Sequence, residues 1–283
     1  MRKKIVLPTD FSKNAWNAIS YALELFKNEA CDFYVLHTYD VNNYLLDPIM
    51  VLNPDDNALQ IAQEKSESGL NKISQRISFR DEALDHHFFY VSKEAELVLA
   101  LKDIVEKKDI ELIVMGTKGD TDSPNIAYGN NAVRVMEKIR NCPVLAIPPN
   151  VLFREPNEIV FPTSFRTHFK RRELDHLINI AQITNAPVRV LHVQKEPELD
   201  EIQQNYKALL SECFDGLDYS FHNLDDSNVS EALQFFVQSR GSEMIAFINK
   251  KHTFFSTIFS QPMVKKLGAS TKVPLLAMHD LRN

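Results

Sequence analysis

The feature that most constrains the fold of this chain is an internal repeat. The sequence IVLPTDFS at residues 5–12 is answered by IVFPTSFR at residues 159–166, an offset of 154 residues. Two further matches follow in the same order: VLH at 35–37 with VLH at 190–192, and PVLAI at 143–147 with PLLAM at 274–278. Whatever structure the first half adopts, the second half is therefore expected to adopt with small changes.

The length of the repeat indicates that each copy is a complete domain. Solenoid repeats contain roughly 20–45 residues, whereas a domain commonly contains about 100–200. We therefore predict two domains in the 283-residue chain, residues 1–150 and residues 151–283. The proline-rich stretch 148–156 is the natural linker, because proline lacks a backbone donor and resists both helix and central strand.

The spacing of apolar residues predicts the same succession of elements in both halves. Short β-branched or apolar runs alternate with stretches of helical periodicity, and Ser92 is predicted to cap the helix after the third strand. Several strands are apolar throughout, which is typical of a parallel sheet covered on both faces in an α/β fold. The predicted strands are 4–7, 33–37, 88–91, 112–115 and 144–147, then 159–161, 188–193, 219–221, 244–248 and 275–278.

Composition argues against several classes of partner. The chain carries 32 Lys and Arg against 38 Asp and Glu, a net charge of -6, so it has no excess of positive charge for nucleic acid or an anionic membrane. Its cysteines, Cys31, Cys142 and Cys213, form no C-x-x-C pair, and neither a disulfide framework nor a zinc site is predicted. Neither a signal core nor a membrane span is visible, so the expected location is the cytoplasm.

Glycines cluster at one place where a ligand could approach the backbone. Only seven occur in the chain, and Gly116, Gly119 and Gly129 fall within 14 residues, after a predicted strand and before a predicted helix. Glycine permits positive φ and close backbone approach, and amides at a helix start attract phosphate. The simpler interpretation is a turn followed by a helix entry.

This stretch resembles the nucleotide loop of the universal stress protein family. The resemblance rests on the spacing G-x2-G-x9-G-N at 116–130, on LIVM before it and CPVL after it, and on PTDFS at 8–12 and LH at 36–37. It extends nearly end to end over each half, so the chain resembles a tandem member. The resemblance implies, in each half, a Rossmann-like (adenine nucleotide alpha hydrolase-like) domain with a five-stranded parallel sheet flanked by helices.

The resemblance also implies an adenine nucleotide, ATP first of all, across the carboxyl ends of the strands. Asp10 would face the ribose or adenine, and Thr38 would contact the adenine through its backbone. Mg²⁺ can accompany the phosphates, although the sequence offers no dedicated carboxylate pair for it. The residues that would cradle ribose and phosphates are Gly116, Gly119, Gly129 and Asn130.

Several of these residues have a second interpretation. Asp10 lies just before a helix and can be its N-cap, and Thr38 can be an ordinary strand-end residue. Asn130 stands where ATP-binding members commonly carry Ser or Thr; it keeps donor and acceptor capacity but adds bulk. Lys118 is either a phosphate contact or a solvated loop lysine.

The second half departs further from the family pattern. Its loop at 248–261 contains no glycine, and Ser164 replaces the aspartate. We therefore expect nucleotide in the first half only, with Phe254, Phe255 and Phe259 covering either this half's own core or a partner. We also expect the halves to pair through their last strands, imitating a homodimer within one chain. Whether the chain dimerises further stays open.

These observations lead to three functional hypotheses. The leading one is an ATP-binding sensor or switch in a stress response, acting on an unknown protein partner. The second is a slow ATP hydrolase, because this architecture also serves such chemistry, although no nucleophile with a recognisable base is visible. The third is a ligand-free structural or interaction protein, against which the retained glycines argue.

Overall fold

The computed structural model describes residues 2–39, 57–80, 85–117, 130–194, 198–225, 228–249 and 273–279, and only the backbone of residues 57, 130 and 230. Strands and helices alternate throughout, as predicted. The first half contains β1 (Lys3–Pro8), α1 (Lys13–Leu25), β2 (Cys31–Tyr39), α2 (Asn57–Ser78), β3 (His86–Glu94), α3 (Leu97–Lys108), β4 (Leu112–Gly116), α4 (Asn130–Lys138) and β5 (Val144–Ile147). The second contains β6 (Ile159–Pro162), α5 (Arg171–Thr184), β7 (Val188–Gln194), α6 (Glu201–Cys213), β8 (Tyr219–Asp225), α7 (Val229–Arg240), β9 (Met244–Asn249) and β10 (Leu275–His279).

All ten strands belong to one sheet, in the order β3-β2-β1-β4-β5-β10-β9-β6-β7-β8. Within each half the strands are parallel, and the order of the first half is repeated in reverse across the middle of the sheet. The fold is therefore α/β with two Rossmann-like halves of five strands each, as the resemblance implied. The boundary at residue 150 stays a prediction, and it falls between β5 and β6.

The two halves meet through an antiparallel pairing of β5 with β10. Leu275 lies opposite Ala146, Leu276 opposite Leu145, and Ala277 opposite Val144. All six residues are buried, so the junction is part of the core. This confirms the prediction that the last strands join the halves, and it leaves β3 and β8 at the two ends of the sheet.

Helices cover both faces of the sheet, and each face carries a hydrophobic core that runs through both halves. Apolar residues of α1, α2, α5 and α6 pack on one face. Residues of α3, α4 and α7 pack on the other. Strands buried on both sides explain why their sequences are apolar throughout instead of alternating.

One predicted helix cap is wrong. Ser92 lies inside β3, and the cap of α3 is Glu96, whose carboxylate accepts hydrogen bonds from the backbone N–H groups of Val98 at 3.0 Å and Leu99 at 3.3 Å. The strand continues to Glu94 because its whole length pairs with β2. The Ser92 hydroxyl instead links β3 to α2, because it lies 2.7 Å from the hydroxyl of Ser66 on α2.

A buried carboxylate anchors the start of the second half. Glu158 precedes β6 and accepts hydrogen bonds from Arg240 at 2.8 Å, from Ser242 at 2.5 Å and from Arg189 at 3.2 Å. Burial opposes ionisation of this group, but the two arginines and the serine outweigh it and lower the pKa of Glu158 to about 2. The ion pairs tie β6 to β7 and to the end of α7.

We predict that the Glu158 cluster makes stability depend on pH in the acid range. A pKa lowered from about 4.5 to about 2 corresponds to about 3 kcal/mol of folding free energy. That contribution is complete above pH ~5 and is lost as the pH falls towards 2, because the unfolded chain takes up the proton first. In urea unfolding, Glu158→Gln should cost about 3 kcal/mol at pH 7 and progressively less below pH 4. The exposed neighbour substitution Glu155→Gln should cost almost nothing, and a Glu158→Gln cost that does not change with pH would contradict the assignment.

Candidate functional site

The predicted site residues lie at the carboxyl ends of the first-half strands. In the sheet, β1 lies between β2 and β4. The chain leaves β1 towards β2 on one side and later returns to β4 on the other side. Open α/β sheets bind ligands at such a topological switch point. Asp10 follows β1, Thr38 lies near the end of β2, and Gly116 ends β4. The structure thus brings these three to one edge. Asn130 begins α4, while Gly119, Gly129 and Lys118 lie outside the described residues.

The turn after β1 is held by its own side chains. The Thr9 hydroxyl accepts a hydrogen bond from the Phe11 N–H at 3.0 Å, and the Asp10 carboxylate accepts one from the Ser12 N–H at 3.0 Å. Ser12 is the N-cap of α1 and accepts from the Ala15 N–H at 3.1 Å. The interpretation of Asp10 as the N-cap is therefore wrong, because Asp10 stands two residues too early, and its side chain is exposed at the edge.

Phe11 adopts a left-handed backbone conformation, with φ of 65°, that directs its ring between two elements. On one side the ring stacks on His37 of β2, with ring centroids 4.3 Å apart. On the other it lies against Gly69 of α2, where an added Cβ would be 2.3 Å from the ring. Gly69 therefore has a packing reason: only a residue without a side chain lets α2 approach Phe11 this closely.

His37 belongs to a chain of hydrogen bonds that sequence reasoning missed. Its Nδ1 lies 2.8 Å from the hydroxyl of Ser66, which in turn lies 2.7 Å from that of Ser92. Burial lowers the pKa of His37, and the charge of Asp10 opposes the shift. A Ser–His pair can support nucleophilic catalysis, but Ser66 has no exposed surface. The chain therefore ties β2, α2 and β3 together.

Gly116 also has a packing reason. A Cβ there would lie 2.7 Å from the side-chain nitrogen of Asn14 and 3.1 Å from the Asn14 backbone, because the start of α1 packs on the end of β4. The next residue, Thr117, is buried, and its hydroxyl finds no hydrogen-bond partner within the described ranges. An unpaired buried hydroxyl is costly, and this one stands where the predicted nucleotide loop begins.

The second half repeats the same turn. The Thr163 hydroxyl accepts from the Phe165 N–H at 3.1 Å, and Phe165 has φ of 53°. Its ring packs on His192, with centroids 4.9 Å apart. Because this Phe–His contact occurs in both halves, it gives His37 and His192 the same packing role.

Around this shared turn, side chains of both halves form hydrogen bonds with backbone carbonyls at the edge of the second half. The Gln203 amide of α6 donates to the backbone carbonyl of Ser164 at 2.9 Å. His192 lies 2.8 Å from both the Thr163 carbonyl and the Gln194 side chain. At the end of β9, Arg140 of the first half donates to the Asn249 carbonyl at 2.7 Å. The glycine-free loop with Phe254, Phe255 and Phe259 lies outside the described residues apart from its first two positions.

Two properties of the described residues concern membranes and metals. None of their helices combines the length and apolar character needed to cross a membrane. They also contain no cluster of three or more His, Cys, Asp or Glu side chains that could hold a metal ion.

The fold is that of a doubly wound α/β protein, and in its first half Asp10, Thr38 and Gly116 lie together at the carboxyl edge of the sheet. The model of the universal stress protein family matches residues 1–148, and the chain belongs to that family. Two relatives from Methanocaldococcus jannaschii each match about half of the chain. Universal stress protein MJ0531 is 28% identical over 148 residues, covering 51% of this chain and 81% of its own length. Universal stress protein MJ0577 is 26% identical over 155 residues, covering 52% and 95%.

A solved structure extends the likeness in fold to both halves. The universal stress protein from Archaeoglobus fulgidus DSM 4304 superposes with a TM-score of 0.68, covering 97% of this chain and 95% of its own, at 15% identity. At that identity the likeness concerns the fold alone. It agrees with a second half that keeps the architecture of the first.

We predict that position 69 requires glycine because the Phe11 ring packs directly against it. In the wild-type chain, Gly69→Ala should destabilise by about 1–3 kcal/mol through overpacking against the ring. In a Phe11→Ala background the same change should be neutral or stabilise by up to about 1 kcal/mol, because alanine is the better helix former. Chemical denaturation of the four proteins measures the difference, with Asn71→Ala as a control on the exposed side of α2. Stabilisation by Gly69→Ala in both backgrounds would refute the contact.

Proposed function

We propose that the chain binds one adenine nucleotide, ATP first of all, in its first half and serves as a nucleotide-dependent sensor or switch in a stress response. Membership of the family and the position of Asp10, Thr38 and Gly116 at the switch point support this. The observation that carries it is a contrast between two otherwise equal turns. Asp10 is exposed at its edge and offers a carboxylate, whereas the matching Ser164 has no carboxylate and its backbone carbonyl accepts a hydrogen bond from Gln203.

Each first-half residue has a chemical role in this proposal. An ionised carboxylate at Asp10 accepts hydrogen bonds from ribose hydroxyls or the adenine amino group. The backbone of Thr38 is available beyond the end of β1, because β1 stops at Pro8 while β2 runs on to Tyr39. The Thr117 hydroxyl gains a partner on the ligand or its loop. Gly119, Gly129 and the N-terminus of α4 at Asn130 supply backbone amides to the phosphates.

The second half has a structural role in this proposal. At its matching edge, Gln203 donates to the Ser164 carbonyl and Arg140 of the first half donates to the Asn249 carbonyl. A nucleotide would have to displace both contacts. Each of these part-buried carbonyls would lose its donor, which works against a second ligand. Mg²⁺, a cytoplasmic location and the protein partner of the switch stay predictions.

The proposal predicts one nucleotide per chain. Isothermal titration with ATP should give a stoichiometry of one, and ATP at a hundredfold excess over Kd should stabilise the protein by about 2.7 kcal/mol. Gly119→Val should abolish binding, since a side chain would occupy the phosphate approach. Lys250→Ala, in the glycine-free loop of the second half, is the matched control and should bind normally. Two sites per chain, or undiminished affinity in a folded Gly119→Val variant, would contradict the proposal.

A further inference from the structure

A second concave surface runs along α1 and begins at Phe11, beside the turn after β1. It consists of two cavities, which we call the α1 groove. The first, of about 560 Å³, lies between Phe11 and α2 and includes Lys65 and Lys72. The second, of about 810 Å³, lies between α1 and the segment that joins the halves, and includes Trp16, Leu152 and Phe153.

The groove is cationic although the chain as a whole is acidic. Its walls carry five cations against two carboxylates, on a protein with a net charge of -6. Such a local reversal of sign attracts an anionic partner and steers its approach. The cations are Lys13, Lys65, Lys72, Arg76 and Arg80, and the carboxylates are Glu24 and Glu64.

The cations are held close to one another at the boundary between the cavities. The Arg76 guanidinium lies 3.8 Å from the centroid of the Trp16 ring. Burial and the neighbouring charge of Arg80 lower the pKa of Arg76, and Glu24 lies 3.4 Å from Arg80. An anionic group placed between the two arginines would relieve their repulsion.

The groove also offers apolar contacts. Leu152 is 74% exposed beside Phe153, whose ring packs edge-on against Tyr21 at 5.0 Å. An apolar side chain of a ligand that covered Leu152 would remove this surface from water.

We propose that the α1 groove docks a short acidic peptide segment of another protein. Apolar side chains of the peptide lie in the two cavities, and its carboxylates pair with the cations of α1 and α2. From Lys65 to Arg76 a helix rises about 16 Å, which an extended peptide spans in roughly five residues. Nucleic acid fits less well, because its phosphates form a continuous chain of negative charge, whereas a peptide can place apolar residues beside Glu24 and Glu64. The docking does not rest on the proposed nucleotide binding.

The test uses the full chain without nucleotide and a fluorescein-labelled peptide of eight residues that alternates Glu with Leu or Phe. Fluorescence anisotropy should show saturable binding, which about 0.5 M salt weakens at least tenfold. Lys72→Glu and Lys13→Glu should each weaken it at least fivefold, and Leu152→Asp should weaken it as well. Lys102→Glu, an exposed position on α3 and hence on the opposite face of the sheet, is the matched charge control and should leave binding unchanged.

Four results would overturn the proposal. The first is the absence of binding at about 100 µM protein in low salt. The second is equal loss of binding in the Lys72→Glu and Lys102→Glu variants, which would indicate a general charge effect. The third is tighter, Lys72-dependent binding of a labelled oligouridylate of similar length, which would assign the groove to nucleic acid. The fourth is Lys72-dependent self-association in sedimentation velocity, which would make a second copy of the chain the occupant.

Discussion

The antiparallel pairing of β5 with β10 is the constraint on which the rest of this molecule depends. It joins two five-stranded parallel sheets into one and merges the cores on both faces. Because this pairing is antiparallel, the strands of the two halves run in opposite directions, and their carboxyl ends lie at opposite ends of the strands in the sheet. The end of α4 in the first half thereby reaches the end of β9 in the second, where Arg140 bonds to Asn249.

The internal repeat accounts for a turn that both halves share. Both halves keep the turn in which a threonine hydroxyl holds a left-handed phenylalanine against a histidine. The turn is thus held in the same way in both halves, whereas the residues around it differ. One half presents Asp10 at an exposed edge, and the other covers Ser164 with Gln203. The fold is shared, whereas the chemistry at the two edges is not.

The repeat and the apolar runs were sufficient to predict the sheet and its parallel halves, because buried strands and short connections leave few alternatives. The β5–β10 junction was predicted from the resemblance to the family and from the need to cover an apolar edge strand. Local hydrogen bonds were harder to predict. Ser92, Asp10 and Ser12 are all chemically able to cap a helix, and only the end of the preceding strand decides which one does. Contacts distant in sequence, such as those of Gly69 with Phe11 and Gln203 with Ser164, leave no periodic signal. The glycines of the loop could be recognised from their spacing, but the packing reason for Gly116 required Asn14 in place.

The claim that the two edges differ in chemistry is tested most directly by photo-crosslinking with 8-azido-ATP, followed by peptide mapping of the modified chain. The account predicts labelling that ATP suppresses and that falls on first-half peptides around the turn after β1 or the end of β2. Comparable ATP-sensitive labelling of the peptides containing Ser164 or Gln203 would contradict it, because the second-half edge would then be an open site.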